Sequence, residues 1–459
     1  MKLHKYSFIE LLKKFFLQPS HPVNLAIFRI ALFYLILIEI KFSSLYWLGD
    51  VPEILMTPPL GFEWFPNIFK IDKTWLFVSS YILKITCIFS IIGLFTRYSI
   101  LITAILTFYL LGVPNFFGKV NHNHHLVLFA TIMIVSRCSD VWSVDALINY
   151  FRTKKRTLPK PSLVYGLPIR IIWVIIGVLY FFAGFWKIHD GGLDWIFTNN
   201  LKYYMYHIWY LNEWMPDFRI DKYPNLLIIS SALTILFEIG FIFLIFMGRL
   251  RYIGVVGGIL FHNMTGMFMK INFKSLWYCF VIFFDWSFLY RWYFKILYGK
   301  EENYSASEIP RIKYNTTIVS IVGALLIFGN VYAGFGNYVD SWFFSCYPTF
   351  QYVKSTPQTS IISIETSYGN GEFEKIDEKV IRSISDKFQY ARFYRMVWMI
   401  IREGDDDKFM ALWEVMKLDN PKLNKVKSIR FFEERVTTLP NLAHINPIKR
   451  KLLAEFNGL

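Results

Sequence analysis

The chain has 459 residues, of which 54% are hydrophobic and 19% aromatic, and a formal charge of +15. A mean hydropathy of +0.36 excludes an ordinary soluble domain, and the basic excess lies in short loops between apolar runs, where membrane topology rather than a nucleic-acid partner accounts for it. The four cysteines, Cys87, Cys138, Cys279 and Cys346, have neither the spacing of a disulfide framework nor that of a metal site.

Residues 1–20 carry Phe8, Leu11, Leu12, Phe15 and Phe16 opposite Lys13 and Lys14, the pattern of an amphipathic helix lying in the membrane interface. Nine apolar runs follow, at roughly 22–47, 74–96, 98–117, 122–138, 168–188, 226–247, 252–270, 274–292 and 315–337. A span needs about 20 residues to cross ~30 Å of hydrocarbon, and in lipid the backbone must satisfy itself, so these runs are expected to be helices. The expected fold is therefore an all-α polytopic membrane domain of about nine transmembrane helices, residues 21–337. Loop charges alternate: Lys13 and Lys14, then Arg97, then Arg152, Lys154, Lys155 and Arg156, then Arg249 and Arg251, with Asp50, Glu53 and Glu63 between the first two groups. This places the N-terminus in the cytoplasm and the chain after residue 337 outside.

Residues 338–459 lack a spanning run and are rich in Asp, Glu and Lys. Ile361 to Tyr368 before Gly369-Asn370-Gly371 predicts a strand entering a hairpin. Helices are expected over 378–389, 390–402 and 407–417, giving a small external α+β domain. Gly404-Asp405-Asp406-Asp407 has no calcium-loop pattern and reads as a solvated turn.

Ionisable groups inside spans are expensive and are functional candidates by default. Arg29 lies in the first span, Glu238 in the sixth and His262 in the seventh. Glu238 could pair with His262 or with Arg29, either for chemistry or to hold helices in register. Asn121-His122-Asn123-His124-His125 sits at the outer end of the fourth span, where no carboxylate or thiol follows at metal-ligand spacing. Lys187 closes the fifth span in Ala183-Gly184-Phe185-Trp186-Lys187, ahead of Asp194-Trp195. A lysine there either snorkels to the interface beside its tryptophans or sits in an apolar pocket as a base.

Four segments in order carry a family likeness: His21-Pro22 through Phe28-Arg29; Asn121-His122 with Trp142-Ser143-Val144-Asp145 after it; Ala183 through Lys187 with Asp194-Trp195; and Phe261-His262. Together, over about residues 20–295, they resemble the vitamin K-dependent gamma-carboxylase family and its wider bacterial group, the horizontally transferred transmembrane (HTTM) domain. The resemblance implies a lyase that uses a reduced vitamin K-type quinol (menaquinol in bacteria), oxygen and carbon dioxide. The quinol is oxidised to the epoxide, and the strong base so formed takes the γ-proton of a glutamate, whose carbanion captures carbon dioxide. Lys187 maps to the lysine that deprotonates the quinol. His122 maps to the family's histidine, or His124 if the register slips, and His262, Glu238, Arg29, Asp194 and Trp195 are the supporting cavity residues. No metal is implied. The implied partners are membrane lipid, the quinol and a peptide or protein substrate on the outer face of a bacterial inner membrane. The sequence departs from the family at Trp186, where the animal enzyme has a second lysine, and in its C-terminal domain of about 120 residues. A non-enzymatic reading, a lipid- or quinone-binding scaffold with a partner-binding C-terminal domain, fits the same composition.

Overall fold

The computed structural model describes residues 8–40, 42–68, 70–117, 123–154, 160–298, 313–369, 371–376, 390–442 and 446–458. Its first helix, α1 (Phe8–Phe16), is amphipathic as expected, and its Phe15 packs on Trp173 and Phe246. The bundle is built from α2 (Pro22–Glu39), α3 (Lys73–Ile92), α4 (Thr96–Gly112), α5 (His124–Val135), α6 (Val144–Thr153), α7 (Leu163–Gly191), α8 (Asn200–Leu211), α9 (Pro224–Leu244), α10 (Arg251–Met269) and α11 (Lys313–Phe335).

Polar caps set several helix starts, as the unsatisfied first-turn N–H groups require. The Asp72 side chain accepts from Trp75 N at α3, and Ser162 accepts from Val164 N at α7. Ser143 accepts from Ala146 N at α6, as the Trp142-Ser143-Val144-Asp145 turn predicts. Asp145, two residues on, caps a different helix: its carboxylate accepts from Phe95 N, Thr96 N and Thr96 Oγ1 at the start of α4. Gly93 ends α3 with φ +72°, and any Cβ there would meet the Arg29 guanidinium and Ser143, so only glycine fits.

Among the described residues, seven helices are long and apolar enough to cross a membrane, so the expected count of nine is not confirmed. The run at 122–138 contains α5, whose 12 residues cover only ~18 Å at ~1.5 Å per residue. It is cut short by Ser136, Arg137 and the polar turn at Ser139-Asp140. The run at 274–292 is divided by Asp285 into the short stretch Lys274–Phe283 and an amphipathic helix, Ser287–Tyr298. Both short stretches nevertheless join the two ends of the bundle. Asn123, ahead of α5, bonds Glu39 at one end, and Asp145 N reaches Gly93 O at the other. Ser275 contacts Asn123, while Trp286 N donates to Asn24 Oδ1 at the far end.

The helix pair that matters for function is α7 against α9. At Gly184 a Cβ would lie 2.8 Å from Ile239 Cγ1 and 2.9 Å from Glu238 Cβ. Small residues let membrane helices approach this closely where lipid offers no hydrophobic driving force, and here the contact brings the α9 backbone over the last turns of α7.

The C-terminal domain is a four-stranded antiparallel sheet, β1 (Gln358–Ser367), β2 (Glu374–Lys375), β3 (Ser428–Thr437) and β4 (Lys449–Asn457), in the order β2-β1-β3-β4. The expected strand and hairpin are β1 and β2, registered by Glu365 opposite Lys375. Helix α12 (Tyr390–Glu403) packs against α13 (Asp406–Asp419), and α13 packs on the sheet, with Phe409 stacked on Phe456 and edge-on to Phe431. The helix expected over 378–389 lies outside the described residues. The domain meets the bundle at the Lys187 end: α13 packs on Glu53–Leu55, and Leu60 N donates to Asp340 O.

Candidate active site

Tyr180, Gly184 and Lys187 recur at helical spacing, so one face of α7 carries all three. That face looks onto α9, α10 and the start of α5 across a cavity of about 380 Å³. Its walls are mostly apolar and aromatic, with Leu45, Leu110, Leu179, Phe261 and Phe273 among them.

Lys187 does not snorkel. Its side chain is 4% exposed, and Nζ donates to both carboxylate oxygens of Glu238 at 2.6 Å. The close approach at Gly184 makes this reach possible, because it sets Glu238 against the last turn but one of α7. The pair is one proton-holding unit with two arrangements, ammonium with carboxylate or amine with carboxylic acid. Burying either group without the other would be prohibitive. Trp195 supports it from below: its ring centroid is 5.6 Å from Nζ, and its indole N–H donates to Phe350 O. A segment of the C-terminal domain thus holds the floor of the site.

A second couple lies on the same wall. Tyr180 Oη and His262 Nε2 share a hydrogen bond of 2.5 Å, and among the described residues His262 Nδ1 has no hydrogen-bond partner. His124 and His125, at the start of α5, Glu39, at the end of α2, and Asn123 also line the cavity.

The structure thus brings together Lys187, Glu238, His262, His124 and Trp195. It does not bring in Arg29, which lies deep in the packing at the other end. There its guanidinium donates to the backbone oxygens of Ile91, Cys138 and Trp142 at 3.3, 3.1 and 2.6 Å. The expected alternatives for Glu238, pairing with Arg29 or with His262, are both replaced by Lys187. Asp194 opens a short helix, Asp194–Phe197, and is exposed. His122 lies outside the described residues. Tyr180 was not singled out from the sequence, although its place seven residues before Lys187, two turns up the same face, was the available signal.

The sequence model of the HTTM domain matches residues 17–288, more than half of the chain and the segment that builds this cavity. The chain belongs to the HTTM domain family. No curated protein and no solved structure matches it. HTTM domains are found in vitamin K-dependent carboxylase-related proteins, and with seven membrane-length helices among the described residues this HTTM protein is a multi-pass membrane protein of that group.

Proposed function

We propose that this HTTM protein is a gamma-carboxylase-like membrane enzyme that binds a reduced vitamin K-type quinol in the cavity and takes its hydroxyl proton onto the Lys187–Glu238 pair. The observation that carries this reading is the pair itself: a bidentate lysine–carboxylate contact, shielded from water, opening onto an apolar chamber. A volume of about 380 Å³ falls within the ~300–1,000 Å³ of small-molecule sites, and flat aromatic walls suit a quinol ring. Oxygen is the oxidant that such a quinol would meet, and carbon dioxide the co-substrate of any carboxylation that follows. The chain's own contribution is positional and protonic. The walls orient the ring and exclude water, Lys187 Nζ receives a proton as Glu238 holds the complementary one, and Tyr180–His262 offers a second proton position. In this reading the Lys187 end faces the outside of a bacterial inner membrane, where the C-terminal domain would meet a peptide or protein acceptor.

The test is quinol-dependent oxygen uptake by the purified full chain, with product identification. Wild type is expected to consume oxygen and yield quinol epoxide, and Lys187→Ala is expected to lose that turnover. Equal turnover in both proteins, or no uptake with any quinol, overturns the reading.

A further inference from the structure

A second, smaller cavity of about 290 Å³ lies at the opposite end of the bundle. It is walled by the chain ahead of α2, the first turns of α7 and α10, and the segment around Asp285. Arg170 and Arg251 line it. They flank a single indole: the Arg170 and Arg251 guanidinium carbons are 4.0 and 5.0 Å from the Trp173 ring centroid.

Neither arginine forms an ion pair with a carboxylate among the described residues. Arg170 donates to Gln18 Oε1, and Arg251 donates to Gly248 O and Tyr252 Oη. The Nε atoms of both are buried with no partner among the described residues. Asp285, the acidic group in the wall, is already occupied by Asn24 Nδ2, Ser287 N and Ser287 Oγ. Two like charges held against one ring with unfilled donors repel each other and leave desolvated N–H groups uncompensated. An anion between them relieves both costs. Planar guanidinium forks match the oxygens of a phosphate group.

Placement selects the source of that phosphate. Arg251 is the first residue of α10, and Arg170 is in the third turn of the 29-residue α7, so the pocket sits at the depth of lipid headgroups. A surface arginine at this level would snorkel into water. Arg170 is instead only 8% exposed and roofed by Phe15 of the interfacial helix α1, whose ring centroid is 5.8 Å from it. We propose that this pocket is a phosphate-binding site for the headgroup of an anionic phospholipid, clamped beneath α1.

The experiment is native mass spectrometry of the full chain in detergent, titrated separately with phosphatidylglycerol, phosphatidylcholine and inorganic phosphate. Phosphatidylglycerol is expected to bind in preference to phosphatidylcholine, whose choline cation meets the two guanidiniums. The Arg170→Gln/Arg251→Gln variant should lose about tenfold or more in affinity, since each removes a charge-assisted contact. Arg249→Gln, an exposed charge nearby, should bind as wild type does. If the double variant does not fold, Arg251→Gln alone, at the rim, serves under the same criterion. Arginine-dependent binding of inorganic phosphate at matching concentration keeps the phosphate site and overturns the lipid assignment. Phosphatidylglycerol binding that is unchanged in the arginine variants overturns the site.

Discussion

Removing either partner of the Lys187–Glu238 pair alone is expected to destabilise the protein by about 3–5 kcal/mol, because each leaves an uncompensated charge in a closed site. Lys187→Met and Glu238→Leu should each show this loss in thermal or denaturant unfolding of the detergent-solubilised chain. The double variant Lys187→Met/Glu238→Leu should fall within about 1 kcal/mol of wild type, since two well-packed apolar side chains replace the pair without stranding a charge. The expected signature is thus a large coupling energy, read from the double-mutant cycle. The geometry argues for the upper part of the range: both side chains are almost fully enclosed, and both carboxylate oxygens are engaged. Single variants that cost under about 1 kcal/mol would match an exposed ion pair instead.

Activity should separate from stability in the same variants. Lys187→Ala is expected to lower quinol turnover by about 10²–10⁴-fold, the usual worth of a positioned proton acceptor. The loss should fall on kcat, because the cavity walls that bind the ring stay in place. Glu238→Gln should also lower kcat, since an amide cannot take up the ammonium proton and so free the Lys187 amine to act as acceptor. The two losses are expected to be non-additive: groups that work as one unit fail together, so Lys187→Ala/Glu238→Gln should be no slower than the worse single variant. Multiplicative losses would mean that the two residues act at separate steps.

Much of the membrane architecture is legible from hydropathy, since a spanning helix announces itself by length. The two short returns are not, because their apolar runs continue past polar breaks at Ser139-Asp140 and Asp285 that a window average smooths over. In the C-terminal domain β1 and its hairpin are readable from Gly369-Asn370-Gly371. Strands β3 and β4 are not, because β4 opens Lys449-Arg450-Lys451 and alternates weakly. Their pairing with β1 and with each other depends on partners up to some 80 residues away.

At the candidate site, the individual residues Lys187, Glu238 and His262 stand out as ionisable groups in apolar runs. Their partnership does not. Glu238 is 51 residues from Lys187, and sequence offers Arg29 and His262 as equally good partners. The decision is made by Gly184, whose missing side chain lets α9 close over α7, and by Arg29's engagement with three backbone oxygens at the opposite end. Trp195 likewise needs Phe350, from a region with no obvious tie to the membrane domain, to hold its ring beneath Nζ.

The most direct measurement is the position of a bound quinol analogue in a cryo-electron microscopy map of the full chain. A ring oxygen within about 3 Å of Lys187 Nζ, with the ring enclosed between Leu179 and Phe273, is the predicted result. A quinol lodged elsewhere, or one in this cavity with its oxygens turned away from Lys187 and Glu238, would contradict the proton-accepting role given to the pair.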